Sequence, residues 1–206
     1  MGSQYHQEKK SMRFQPILKY AMTILLGLIL FGFVKAQEPK TVTDHLMALP
    51  NDLFKLVDQM FDDDDPNLKT KSDMDKYRRS NILVEDIKNG YIEYQHAEFP
   101  TQIALFKKDG GGYLMAISFR SLVHAEKGQV CSGELNFVEY NDGQWTDVTK
   151  NYLPKLTAAQ LNKAKRLTSC YELPREGRTL RLYHLWWESE ETWGRFEWNG
   201  TRFVGK

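Results

Sequence analysis

Residues 130–148, VCSGELNFVEYNDGQWTDV, have the pattern of a β-hairpin that begins beside a cysteine. Asp142-Gly143 is a favoured pair for the centre of a type I′ turn, in which both residues have positive φ. Around such a turn, residues whose numbers sum to 285 face each other across the two strands. The expected pairs are Phe137 with Val148 on one face and Tyr140 with Trp145 on the other.

Two further stretches, DGGGY at 109–113 and NGTRF at 199–203, again combine turn residues with an aromatic residue. Turns of this kind between β-prone segments are typical of successive antiparallel hairpins. The repetition therefore predicts a β-meander rather than a parallel sheet.

The composition is that of a globular protein, with 206 residues of which 41% are hydrophobic, and this length favours one domain. Residues 1–36 hold five of the 28 basic residues and one of the 27 acidic ones. Residues 37–206 thus carry 23 basic and 26 acidic side chains, a net charge of −3. No basic stripe is visible, so a nucleic-acid partner is not expected.

The amino-terminal segment has the pattern of a secretory signal peptide. Four basic residues between Lys9 and Lys19 precede an apolar run of 14 residues, 21–34, and Ala36 follows as a small residue at a cleavage position. We expect a signal peptide at 1–36, with Met12 as an alternative start, and a periplasmic or secreted domain at 37–206. The alternative is an uncleaved membrane anchor, the one contact with a membrane that we expect, although the run is shorter than the ~20 residues that span a bilayer.

Cys131 and Cys170 are the only cysteines, and both lie in the mature part of the chain. An oxidising compartment permits them to pair, so the sequence predicts a Cys131–Cys170 disulfide. The alternative is two buried free thiols.

Two helices are expected before the strands begin. After a loose leader at 37–43, apolar residues at helical spacing in 53–61 predict the first helix, with Asn51 as its N-cap. Ser72 and Asp75 match a capping box and predict a second helix that runs toward Ile87.

The segment Lys88-Asn89-Gly90 has two interpretations, the end of this second helix or a hairpin turn. We favour the helix end, because the hairpin register would place Asp86 opposite Glu93, and like charges in that position are unfavourable.

The acidic run 62–65 suggests a calcium loop, but an EF-hand count places Pro66 and Asn67 where a ligand and a glycine are required. We therefore interpret it as a solvated loop and predict no metal site.

The remaining elements follow from apolar alternation and turn signals. Strands are expected at 91–94, 102–106, 113–119, 179–187 and 192–203, with a polar loop at 121–129. The 113–119 strand is apolar on both faces and should be central.

A capping box of Thr157 and Gln160 predicts a short helix whose Leu161, Ala164 and Leu167 face the sheet. A two-residue turn at Asn199-Gly200 pairs Phe196 with Phe203 and Glu197 with Arg202.

No catalytic, metal or phosphate-binding motif is present in residues 37–206. The four histidines there, His45, His96, His124 and His184, show no metal-ligand spacing, and the sequence has no Gly-x-Ser-x-Gly or phosphate loop. We predict no cofactor and name no catalytic residue.

One group of residues suggests recognition. Aromatic rings beside carboxylates stack on sugars or anchor protein partners, although large rings also simply fill a core. The group comprises Tyr183, Trp186, Trp187, Trp193, Phe196 and Trp198, with Glu188, Glu190 and Glu191 between the two strands. The candidate ligand-binding residues are Tyr183, Trp186, Trp187, Glu188, Glu190 and Trp193.

The Cys131-Ser132-Gly133 start of the central hairpin, its aromatic residues and the Trp198-Asn199-Gly200 ending resemble uncharacterised families of exported bacterial envelope proteins. The resemblance implies export and brings no activity.

The sequence as a whole predicts an α+β domain, in which an antiparallel β-meander of about seven or eight strands packs with two N-terminal helices and one short inserted helix. Two functions remain open. The first is a non-enzymatic envelope protein that binds a glycan or a protein partner through the tryptophan-rich strands. The alternative is a cell-wall or glycan hydrolase that uses Glu188, Glu190 or Glu191 as acid and base. The sequence predicts no oligomeric state.

Overall fold

The computed structural model describes residues 38–95, 100–125, 128–164, 169–186 and 189–206, with the backbone alone at 122–125, 128–130 and 186. Glu38–Lys206 form one compact unit. The predicted signal segment lies outside the described residues. In the part of the chain that is described, no helix is long and apolar enough to cross a membrane.

The described residues of this unit form five short helices and ten strands. The helices are α1 Val42–Ala48, α2 Asn51–Phe54, α3 Lys71–Ser80, α4 Thr149–Tyr152 and α5 Ala158–Ala164. The strands are β1 Ile82–Asp86, β2 Tyr91–Tyr94, β3 Thr101–Lys107, β4 Tyr113–Ala125, β5 Gly128–Asn141, β6 Gln144–Asp147, β7 Cys170–Glu172, β8 Thr179–Trp186, β9 Ser189–Trp198 and β10 Phe203–Gly205.

The strands form two antiparallel meanders. Strands β1 to β6 pair in sequence order as a six-stranded sheet, and β7 to β10 pair in order as a four-stranded sheet. Among the residues that the structure describes, one backbone pair, Val130 with Trp186, connects the two sheets. The α+β meander is confirmed, with ten strands in the place of seven or eight.

The six-stranded sheet is the middle layer of three. Its Met115 and Ile117 pack with helical residues such as Leu46 and Phe54. On the opposite face, side chains such as Leu114 pack with the four-stranded sheet. The expectation that β4 is central, because both of its faces are apolar, is confirmed.

The central hairpin has the predicted turn and register. Asp142 and Gly143 have φ values of 49° and 85°, as a type I′ turn requires. Tyr140 faces Trp145 with ring centroids 5.3 Å apart. The Val148 N–H donates to the Phe137 carbonyl over 2.9 Å, so the second predicted pair is also adjacent.

The helical region differs from the prediction at both helices. An additional helix, α1, begins within the expected leader and continues to Ala48, and its N-cap Thr41 exchanges hydrogen bonds with Asp44 in a capping box. The helix expected over 53–61 contains only Asn51–Phe54, with Pro50 rather than Asn51 at its N-cap. In α3 the capping box is Thr70 with Asp73, two residues before the predicted Ser72 and Asp75.

The predicted extension of this helix toward Ile87 is wrong, because residues 82–86 form β1 and turn into β2. The turn contains four residues, 87–90, so Asp86 faces Tyr91 and Val84 faces Glu93. The unfavourable pair of Asp86 and Glu93 is avoided by a longer turn rather than by a helix end.

The polar loop expected at 121–129 is also wrong. Strand β4 continues to Ala125 and β5 begins at Gly128, with Arg120 opposite Gly133. Backbone pairing to the neighbouring strand holds these polar residues in extended conformation despite their weak β propensity.

The last hairpin is shifted by two residues from its predicted register. Trp198 faces Phe203 and Glu197 faces Val204, because the turn has four residues instead of two. The Asn199 side-chain oxygen accepts the N–H groups of Thr201 and Arg202 and so stabilises the longer turn. Glu197 pairs with Lys206 over 2.7 Å rather than with Arg202.

Helix α5 has the predicted capping box, in which Thr157 N–H donates to Gln160 Oε1 over 2.8 Å and Gln160 N–H donates to Thr157 Oγ1 over 3.3 Å. Leu161 does not face the sheet, since 47% of it is exposed. Leu167 lies outside the described residues.

The predicted disulfide is confirmed. Cys131 of β5 and Cys170 of β7 are bonded, with 5.9 Å between their Cα atoms, and both are buried. A Cβ on Gly133 would lie 2.5 Å from the Phe119 carbonyl oxygen and 3.1 Å from Cys170 Sγ. Glycine at this position therefore allows the second sulfur to approach β5.

A buried histidine makes the helical layer sensitive to pH. His45 of α1 is 2% exposed and lies between Tyr113 and Trp145, with ring centroids 5.6 and 5.8 Å away. Its Nδ1 is 2.7 Å from the Thr41 carbonyl oxygen. Burial lowers the pKa of His45, against the raising effects of Thr41, Asp44 and Glu38, so the folded protein holds this ring neutral.

We expect the free energy of unfolding to fall as the pH drops below about 6.5, the ordinary pKa of histidine, because the unfolded chain then binds a proton that the folded protein does not. The slope from this one group reaches at most about 1.4 kcal/mol per pH unit. Urea unfolding between pH 7.5 and 5 measures the slope, and His45→Asn should reduce it. Equal slopes in the two proteins would contradict the assignment.

Candidate functional site

The candidate residues are distributed over two neighbouring strands. Tyr183 and Trp186 belong to β8, and Glu190 and Trp193 belong to β9. Trp187 and Glu188 lie outside the described residues, and Trp186 is described by its backbone alone. The structure therefore builds the site around Trp193.

Trp193 lies at an irregularity in the β8–β9 pairing. Thr192 faces Tyr183 and Gly194 faces Leu182, so Trp193 is an extra residue with no residue opposite. A bulge of this kind turns a side chain away from its regular direction and often occurs near functional sites. The Trp193 residue is half-buried.

A buried histidine supports the indole. The rings of His184 and Trp193 are nearly parallel, with centroids 5.6 Å apart and an interplanar angle of 23°. His184 is buried in β8, so its imidazole ring supports the indole ring from the interior of the protein. This stacking holds the Trp193 ring in one orientation.

Helix α5 contacts the same strand through polar groups. Gln160 Nε2 donates to the Trp193 carbonyl oxygen over 3.0 Å. Lys163 Nζ lies 5.6 Å from the indole centroid, within the range of a cation–π interaction. A Cβ on Gly194 would lie 2.8 Å from Gln160 Nε2, so glycine leaves room for the helix.

The carboxylates beside Trp193 have basic partners. Glu191 accepts from Lys163 over 2.6 Å, and this hydrogen bond lowers the pKa of the Glu191 carboxyl. Glu190 forms an ion pair with Arg181, which also pairs with Glu172. Both glutamates are exposed, and as neighbours in one strand they point to opposite faces.

Tyr183 lies below the surface, 5% exposed, in a cluster with both cysteines of the disulfide. Its hydroxyl accepts from Arg120 Nη1 over 3.2 Å, and the Arg181 guanidinium lies 4.9 Å from its ring centroid. Tyr183 therefore supports the strand, whereas Trp193 is partly exposed.

Two other aromatic residues of the group are core residues. Phe196 and Trp198 are 1% exposed and pack between the two sheets. The Trp198 Nε1–H donates to the Lys107 carbonyl oxygen over 2.7 Å. Phe196 and Trp198 of the aromatic group therefore fill the core, whereas Trp193 remains the candidate for recognition.

The supporting residues Gln160, Lys163 and His184 were not candidates from the sequence. Lys163 belongs to no sequence motif, and His184 shows no metal-ligand spacing. Their roles depend on the packing of α5 against β9 and on the bulge, for which the local sequence carries no clear signal.

The acidic loop places oxygen atoms of Asp62, Asp63 and Asp64 within 4.8 Å of one another. All three are exposed, Asp63 pairs with Lys55 over 2.9 Å, and Asp62 accepts the Asp64 N–H. These local partners account for the geometry of a solvated turn.

Comparison of the chain with protein-family models, curated proteins and solved structures gave no match.

Proposed function

We propose that this chain is an exported, non-enzymatic envelope protein that binds a glycan, or alternatively a protein partner, through the surface around Trp193. The observation that carries the proposal is the half-buried indole at a strand bulge, stacked on buried His184 and bordered by Lys163. A partly exposed aromatic ring beside hydrogen-bonding groups is suited to apolar contact with a sugar. The same arrangement serves as an anchor for a protein.

Export is supported by the disulfide and by the pattern of residues 1–36. Disulfides form and persist in oxidising compartments such as the periplasm. A periplasmic or secreted location after cleavage near Ala36 would place the Trp193 surface among envelope glycans and proteins.

Binding is better supported than hydrolysis. A glycosidase needs two carboxylates about 5 to 9 Å apart on the two sides of a bound sugar, one of them with a raised pKa. Glu190 and Glu191 point to opposite faces, and the pKa of Glu191 is lowered by its contact with Lys163. These two groups are suited to fixing α5 and β8 to β9.

The test is a glycan array and a pull-down from envelope extract, followed by affinity measurement on the ligand found. We expect Trp193→Ala to weaken binding by about tenfold or more, since stacking on one aromatic side chain and burial of its area contribute about 1 to 3 kcal/mol. Trp187→Ala combined with Trp193→Ala should remove more of the affinity. Tyr140→Ala, on a half-buried ring of the central hairpin, is the matched control.

Unchanged affinity in the double variant, with folding verified by circular dichroism, would exclude this surface. Loss of affinity in Tyr140→Ala equal to that in Trp193→Ala would indicate a nonspecific effect of removing a ring.

A further inference from the structure

A second concave surface lies away from the candidate residues of the sequence. It is a groove of about 420 Å³ bordered by the segment before α1, the turn between β1 and β2, the end of β3 and the loop before β8. The side chains that matter are Lys40, Lys88, Lys107 and Arg178, with Ile87 and Tyr113. We call this surface the basic groove.

The basic groove concentrates positive charge. All four cations are exposed, and no aspartate or glutamate is among the residues that line the groove. Within the residues that the structure describes, none of the four forms an ion pair. Residues 37–206 carry a net charge of −3, from 23 basic and 26 acidic side chains, so this concentration is not a consequence of composition.

Two acidic residues close in sequence to residues of the basic groove, Asp44 and Asp86, have other partners. Asp44 Oδ2 accepts the backbone N–H groups of Lys40 and Thr41 over 3.3 and 2.9 Å. Asp86 forms an ion pair with Arg175 over 3.1 Å. Neither carboxylate is directed to a cationic side chain of the basic groove, so the positive potential remains open to an anion.

The backbone under two of the cations is fixed by one core residue. Trp198 donates its indole N–H to the Lys107 carbonyl and its backbone N–H to the Arg178 carbonyl, over 2.7 and 2.9 Å. On the other side, the Gly90 carbonyl accepts the Leu105 N–H over 2.9 Å. The fold therefore holds the groove in shape. Binding then costs less conformational entropy than it would in a groove that had to become ordered.

We propose that the basic groove binds a small ligand that bears two phosphate groups. Its volume lies in the range of small-molecule sites. Phosphate oxygens match arginine and lysine donors, and two phosphate groups carry about the charge that four cations neutralise. Half-buried Tyr113 and Leu105 offer apolar contact to the organic part of such a ligand.

The phosphate has two possible sources, a soluble compound or the headgroups of an anionic membrane. Ile87 is 55% exposed at the tip of the β1–β2 turn, beside Lys88. An exposed aliphatic residue next to cations is also the arrangement by which proteins contact anionic bilayers. Ile87 therefore separates the two sources experimentally.

The first arm is calorimetric titration of the full-length protein with pyrophosphate at low ionic strength. We expect saturable binding that weakens with added salt. Lys88→Gln combined with Arg178→Gln should weaken it by about tenfold or more, since each substitution removes a charge-assisted hydrogen bond to phosphate. Lys76→Gln combined with Arg79→Gln, two exposed cations of α3, removes the same charge elsewhere and should change affinity less than about twofold.

The second arm is sedimentation with phosphatidylcholine vesicles that contain or lack phosphatidylglycerol. Pyrophosphate binding without vesicle binding identifies a soluble ligand. Vesicle binding that requires phosphatidylglycerol, is competed by pyrophosphate and is reduced by Ile87→Ser identifies a lipid headgroup. Absence of binding in both arms, or equal loss in the groove and control variants, would overturn the proposal.

Discussion

Removal of the Cys131–Cys170 disulfide is expected to lower the free energy of unfolding by about 4 kcal/mol. The bond closes a loop with a sequence separation of 39, and the loss of chain entropy in the unfolded state gives about this value for such a loop. The bond also joins β5 of the six-stranded sheet to β7 of the four-stranded sheet. Among the described residues, the two sheets share one backbone pair, between β5 and β8. Its loss should therefore loosen the four-stranded sheet in particular.

Urea unfolding of the parent and of Cys131→Ala combined with Cys170→Ala measures the effect. Hydrogen exchange should show faster opening at β7 and β8 than at β3 and β4, which lie within the six-stranded sheet. Reducing agent should destabilise the parent by a similar amount and leave the double variant unchanged. A double variant within about 1 kcal/mol of the parent would show that side-chain packing alone holds the two sheets together.

The two hairpins with Gly in their turns show what local sequence determines. At Asp142-Gly143 the turn residues and the strand pattern agree, and the observed register is the predicted one. At Asn199-Gly200 the same kind of dipeptide is part of a four-residue turn, because the Asn199 side chain accepts from the backbone of Thr201 and Arg202. Side-chain capping of a turn competes with its preferred dihedral angles, and the dipeptide alone does not show which prevails.

The shift of two residues preserves which side chains face inward. Phe196, Trp198 and Phe203 remain in the core, since strands alternate with a period of two. Both predicted pairs, Phe196 with Phe203 and Glu197 with Arg202, are wrong, although Phe196 and Phe203 lie in the same core. The core was more predictable than the register.

The Trp193 surface was predictable only in part. Aromatic residues next to acidic residues are visible in the sequence, and they predict a recognition surface on the segments that form β8 and β9. The bulge, the stacking on His184 and the contact with Lys163 arise from tertiary packing. The four cations of the basic groove come from four separate segments, so no sequence window contains them together.

Substitution of Arg78 by alanine is expected to lower the free energy of unfolding by about 3 kcal/mol or more. Arg78 of α3 is 3% exposed, and its guanidinium lies 4.2 Å from the Phe54 ring centroid. Its Nη1 donates to the carbonyl oxygens of Leu46 and Met47 at the end of α1, over 3.1 and 3.0 Å. Removal leaves these helix-terminal acceptors without a donor in a buried site and also creates a cavity.

The same side chain connects three helices, because Arg78 Nη2 donates to the Asn51 side chain of α2 over 3.2 Å. A lysine retains the charge but offers one ammonium group in place of the planar fork, so Arg78→Lys should recover part of the loss. Arg79→Ala, its exposed neighbour in α3, is the matched control and should change stability by less than about 0.5 kcal/mol. If urea unfolding gave equal effects at the two positions, the helices would be held by their apolar contacts, with Arg78 only occupying space between them.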